Sequence, residues 1–171
     1  MLSFDAADPT WLQLRERALD GACAVVREQE VLVAGGKHHD CSKLSPRTGL
    51  WSAGPALFDA LPHRRTREAH CAGQVGAATV VCGGLDPPLH DFCSTIVLPG
   101  GADAAWKRGA EMVVSRCSAG GAVVRPRDAN GHQFLVAGGR GPRSSDSTEL
   151  YDVVDDRWVR IEARLMEPME C

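Results

Sequence analysis

The chain has 171 residues, 44% of them hydrophobic and 24% charged, with a formal net charge of -3. That length suffices for one sizeable core, and so small and mixed a charge gives no ground for a nucleic-acid partner or an anionic membrane. The opening MLSFDAADPTW carries acids where a signal peptide needs an apolar stretch, and the longest uncharged run, Cys71 to Leu85, is too short and glycine-rich for a transmembrane helix; the cytosol or the nucleus is the expected compartment.

In chain order, LSFDAADPTW places Phe4-Asp5 seven residues before Trp11. The polar break Arg27-Glu28-Gln29-Glu30 leads into the apolar run VLVAGG (31–36), and LSPRTGLW then places Leu44 seven residues before Trp51. The run ATVVCGG (78–84) follows; aligning Cys93-Ser94 with Cys41-Ser42 puts Ile96 ten residues before Trp106, with three residues inserted. After the hairpin break Arg127-Asp128-Ala129-Asn130-Gly131 comes FLVAGG (134–139), and Tyr151 stands seven residues before Trp158. The glycine pairs begin at 35, 83 and 138, giving spacings of 48 and 55 residues. A unit of that length holds roughly four short strands.

Each residue type has a physical task. A Gly-Gly at a strand end lets the backbone leave through conformations closed to other residues and lets neighbouring chains approach. A tryptophan on the outer strand supplies a large apolar plate with a free N–H. With the strands of a unit labelled a to d, Gly-Gly closing b and Trp in d, the chain reads c–d, then a–b–c–d three times. No window of helical period competes.

The unit FLVAGGRGPRSSDSTELYDVVDDRW resembles the kelch family: a strand ending in Gly-Gly, a polar loop, a Tyr-Asp strand and a tryptophan seven residues after the tyrosine. Three of the four tyrosine positions depart from that pattern. The resemblance implies an all-β, kelch-type β-propeller of about three four-stranded blades plus a leading half blade, an incomplete ring. The expected divisions of this single region, 1–171, are a half blade at 1–20, blades at 21–60, 69–110 and 115–165, and the start of a further blade at 166–171. Family members generally close a ring of more blades, so the chain is expected to be a piece of a propeller. Exposed blade edges then favour self-association.

Seven cysteines are many for this length. Cys23, Cys71, Cys117 and Cys171 fall where strand a begins, Cys41 and Cys93 where strand c begins, and Cys82 precedes the second glycine pair. Such placement predicts reduced, buried packing residues, and no Cys-x-x-Cys suggests a metal. His38-His39-Asp40-Cys41 reads as a solvated loop, because four adjacent ligand types cannot all reach one ion from an extended chain. Among enzymatic relatives, kelch copper-radical oxidases need two tyrosines, and this chain has Tyr151 alone. Plant specifier proteins carry a Glu, Asp, His triad at intervals of four, of which only Asp128 and His132 are matched, Val124 standing in the place of the glutamate. No Walker lysine and no Gly-x-Ser-x-Gly is present. No catalytic residue, metal or cofactor is predicted.

Turns along an antiparallel unit alternate between its two ends, so the b–c loops after Gly-Gly and the d–a loops between units share one rim. Lys37, His38, His39, Arg64, Arg65, Arg67, His90, Arg140 and Arg143 are the candidate partner-binding residues there, with Asp91 and Asp146 beside them. Arginine forks pair with carboxylates, which makes a protein or acidic peptide segment the expected ligand. The expected function is a protein-interaction module, an adaptor or scaffold. The alternative is a fragment of a propeller enzyme, an oxidase or sugar isomerase, whose active residues lie in other blades.

Overall fold

The computed structural model describes residues 21–36, 41–57, 67–86, 90–91, 93–101, 104–125, 131–141, 146–162 and 165. The expected half blade at 1–20 and the opening strand at 166–171 lie outside the described residues. Within them the chain is all-β, with three four-stranded antiparallel sheets. Sheet 1 holds β1 (Ala22–Arg27), β2 (Glu30–Gly35), β3 (Ser42–Ser45) and β4 (Leu50–Ala53) in that order. Sheet 2 runs β5 (Cys71–Val75), β6 (Ala78–Cys82), β9 (Thr95–Leu98), β10 (Lys107–Gly109). Sheet 3 runs β11 (Gly120–Val124), β12 (Gln133–Ala137), β13 (Thr148–Asp152), β14 (Arg157–Ile161). One element is absent from the sequence reading: β7 (Leu85–Asp86) and β8 (His90–Asp91) form a separate two-stranded ribbon between β6 and β9.

Strand alternation sets the register, and the register corrects two sequence alignments. The residue before each glycine pair, Ala34, Cys82 or Ala137, faces Cys23, Cys71 or Gly120 on the preceding strand. Cys23 and Cys71 are therefore equivalent, whereas Cys117 lies three residues too early; Gly120 holds the matching place in sheet 3. Similarly, Val31 faces Leu44, Thr79 faces Leu98 and Phe134 faces Tyr151, so Leu98 rather than Ile96 occupies the tyrosine position. The Cys93-Ser94 match misled by two residues. A slip of that size keeps each side chain on its own face, so the hydrophobic pattern alone did not expose it.

Each sheet buries one face against the next. Leu32, Ala34, Cys41, Val81, Ile96, Leu98 and Trp106 form a core between sheets 1 and 2. Cys71, Val75, Val80, Cys82, Phe134, Val136, Tyr151 and Trp158 form a second between sheets 2 and 3. Tryptophan closes both: Trp106 Nε1 donates to the Pro55 carbonyl and Trp158 Nε1 to the Ala110 carbonyl, each at 3.2 Å. Register makes Pro55 and Ala110 equivalent, because Gly54 follows β4 opposite Cys41 as Gly109 lies opposite Thr95. The same bond thus ties each outer strand to the sheet before it.

Volume is exchanged across these interfaces. Phe134 packs so closely on β5 that a Cβ at Gly73 would lie 2.5 Å from its ring. In the preceding repeat the glycine position is Val25 and the phenylalanine position is Thr79, a larger residue paired with a smaller one. Close-packed interiors require this compensation.

The free thiols follow the same logic. Cys23 Sγ donates to the His70 carbonyl at 2.7 Å and Cys71 Sγ to the Ala119 carbonyl at 2.9 Å, each bonding to the following repeat. Burial pushes the Cys23 thiol up to about 11 and Cys82 well above its ordinary value. Cys23 is half-buried, while Cys71, Cys82 and Cys117 are buried. Thiols held protonated in this way are poor nucleophiles.

Candidate functional site

Three isolated bridges join the loops at one edge of the sheets. Gly36 pairs with Arg67, Glu68 with Leu85 and Cys117 with Arg140. Gly36, the second glycine of its pair, meets the stretch leading into the inner strand of the next sheet, whereas Leu85 and Arg140, just past their glycine pairs, meet the stretches leading into the inner strands of their own sheets. The b–c and d–a connections therefore emerge side by side, as the alternation of turns requires. A backbone ladder runs along this edge: Ser118 N–H donates to the Ala69 carbonyl at 2.8 Å and Ala69 N–H to the Gly21 carbonyl at 3.2 Å. All three residues have left-handed φ, 48°, 51° and 74° respectively.

The candidate residues separate into four groups. Arg140 is exposed. His90 is placed by its backbone in β8. Lys37, His38, His39, Arg64, Arg65 and Arg143 lie outside the described residues.

Arg67 requires a correction, because it is 2% exposed and not available to a partner. Its Nε donates to the Gly83 carbonyl at 2.9 Å and Nη2 to the Ser94 carbonyl at 2.6 Å. Arg116 repeats the arrangement: Nη1 donates to the Gly138 and Ser147 carbonyls at 2.8 and 3.0 Å. Gly83 and Gly138 each open a glycine pair, and Ser94 and Ser147 each precede strand c, so the two guanidinium groups occupy equivalent sockets. The planar fork fits a pair of converging carbonyls. Both arginines stand four residues before their inner strand, a repeat that sequence inspection could have found.

The glycine pair and the arginine position interlock. Gly36 N–H donates to the Arg67 carbonyl at 2.7 Å and Gly84 N–H to the Arg116 carbonyl at 3.0 Å. A Cβ at Gly35 or Gly83, both at positive φ, would lie 2.7 or 2.6 Å from those same oxygens. Glycine is needed here for both conformation and closeness.

The second socket also holds a charge pair. Arg116 Nη2 meets Glu149 Oε1 at 2.6 Å, with side chains 1% and 0% exposed. Glu149 further accepts the Val113 and Val114 N–H groups at 2.7 and 3.1 Å. In the first socket His70 lies beside Arg67, its Nε2 3.0 Å from the Ala34 carbonyl. Burial, and then the Arg67 charge, hold its imidazole down to about 3. Folding thus favours the neutral ring, so this contribution is complete above the unfolded value near 6.5 and is lost as pH falls from there toward 3. Urea unfolding at successive pH values should show stability falling by about 1.4 kcal/mol per unit below pH 6, with His70→Ala removing most of that slope. An equal slope in the variant would assign the acid lability to other groups.

A pocket of about 640 Å³ opens between sheets 1 and 2, lined by Arg27, Glu28, Glu30, Lys43, Pro55 and Ala104 among others. Its cause lies in the repeat. Between sheets 2 and 3 the matching space is filled by Tyr151, whose hydroxyl donates to Asp156 Oδ1 at 2.6 Å, while Ala110 N–H donates to the same oxygen at 2.7 Å. Burial, followed by the Asp156 carboxylate, pushes the phenol up and keeps it a donor. Sheet 2 has Leu98 and Ala104 at these two positions, and the space is left open. Lys43 Nζ reaches Glu30 Oε2 at 3.3 Å on its wall, and Arg27 Nη2 donates to the Pro99 carbonyl at 2.7 Å.

Comparison with family models and with curated proteins found no match to this chain.

Proposed function

We propose that the chain is a segment of a kelch-type β-propeller and that it acts as a protein-interaction module through the loop rim. The observation carrying the reading is the meeting of b–c and d–a connections at one edge in successive repeats. Loops on a rigid β scaffold vary without disturbing it, which is why binding residues concentrate on them. The Gly-Gly pairs, the tryptophan bonds and the face-to-face packing of successive sheets support the propeller reading. The exposed Arg140, together with the sequence expectation that Lys37, Arg64, Arg65 and Arg143 stand in b–c and d–a loops, favours an acidic protein segment as the ligand.

The test uses a fluorescent peptide rich in Asp and Glu, titrated with the full chain. Binding that weakens with added salt, and that falls at least about tenfold when Arg64, Arg65 and Arg140 are changed to Ala, is the expected result. An unchanged melting temperature in that variant separates lost binding from lost folding. Equal affinity in both proteins would remove the rim from the function.

A further inference from the structure

Among the described residues, both cores join the following face of one sheet to the preceding face of the next. Two such faces of the described sheets take no part in either core. On sheet 1 the preceding face carries Val26, Val31, Leu44 and Trp51, which are cross-strand partners in one continuous row. On sheet 3 the following face carries Ala122, Leu135, Leu150 and Val159, again in one row across all four strands. Val26 is 62% exposed and Val159 46%. Trp51 is half-buried, while its equivalents Trp106 and Trp158 are 4% and 7% exposed. A further pocket of about 470 Å³, lined by Val26, Val31, Pro46 and Arg47 with Glu28, Gln29 and Glu30, remains open on the sheet 1 side.

We infer that a second copy of this chain covers these faces, sheet 3 of one molecule docking head to tail on sheet 1 of the other. The faces are the two halves of an interface that the chain already forms twice. Trp51 holds the position from which Trp106 and Trp158 each donate to the sheet before them. Glu162 follows β14 as Pro55 and Ala110 follow Gly54 and Gly109, and its carbonyl is the matching acceptor. A preceding face and a following face are chemically different surfaces, so the contact is heterologous, and two copies that each present both faces form two such contacts if the ring closes. This inference rests on repeat equivalence, and it stands or falls apart from the acidic-peptide reading of the rim.

The experiment is sedimentation of the full chain with two face variants, Leu44→Glu on sheet 1 and Leu135→Glu on sheet 3. Wild type should associate. Each variant alone should sediment as a monomer with a circular dichroism spectrum like wild type, since every head-to-tail contact needs one intact face of each kind. An equimolar mixture should recover a 1:1 complex, because Leu44→Glu keeps its sheet 3 face and Leu135→Glu its sheet 1 face. A monomeric wild type overturns the inference, whether residues 1–20 or solvent covers the row. Persistent association of either variant alone overturns it too, by showing a contact between like faces. If a glutamate variant fails to fold, the exposed pair Val26→Lys and Val159→Lys provides the same comparison.

Discussion

Changing Arg116 to alanine should cost about 3–5 kcal/mol of stability, the range for removing one partner of a buried ion pair. The guanidinium is enclosed, and the Glu149 carboxylate left behind would be a fully buried charge that accepts from the Val113 and Val114 N–H groups. The Gly138 and Ser147 carbonyls lose their shared donor at the same time. Against a typical total of about 5–15 kcal/mol, that loss is a large fraction of what holds a domain folded. Adding Glu149→Gln should recover part of the loss by removing the stranded charge, a coupling that a double-mutant cycle measures. In the Arg67 socket Ile96 holds by register the place of Glu149, and Arg67→Ala should cost roughly 1.5–3 kcal/mol from its charged hydrogen bonds. The ordering of the two variants in denaturant midpoint is the sharper check. Equal losses would show that the ion pair adds nothing beyond the carbonyl contacts.

Trp158→Ala should be comparably severe, about 3–5 kcal/mol, as for other buried aromatic truncations. Trp158 is 7% exposed, lies 5.0 Å from the Tyr151 ring centroid in a stacked arrangement, and donates through Nε1 to Thr95 Oγ1 at 2.9 Å as well as to Ala110. Trp158→Phe keeps most of the apolar area but strands the Thr95 and Ala110 acceptors, and a loss of about 1–3 kcal/mol is expected. Trp51→Ala should be milder in the monomer, since Trp51 is only half-buried. Thermal melts that ranked Trp51 with Trp158 would mean that sheet 1 is covered within a single molecule.

The sheets were legible because their signals are local. Apolar alternation marks the strands, and three glycine pairs and the repeated tryptophans mark the unit; Trp106 and Trp158 play the same part on successive sheets. What escaped the sequence depends on pairing between distant strands. Cys117 matched Cys23 and Cys71 by eye, but only the register of β11 on β12 shows that Gly120 holds their place. Arg67 was assigned to a solvent loop because it follows Arg64 and Arg65, and charge composition does not reveal a carbonyl socket formed by residues 16 and 27 positions away. The pocket between sheets 1 and 2 was equally hidden, arising from two small residues, Leu98 and Ala104, whose larger counterparts are recognisable only after alignment by register.

The proposal that the rim binds the partner is tested most directly by photo-crosslinking. A benzophenone side chain placed at Arg140 samples the rim, and one at Arg47, exposed in the β3–β4 turn, samples the opposite edge. With the acidic peptide bound, crosslinks should form from position 140 and not from position 47. Crosslinks from position 47 alone, or equally from both, would contradict the assignment of the rim as the binding surface.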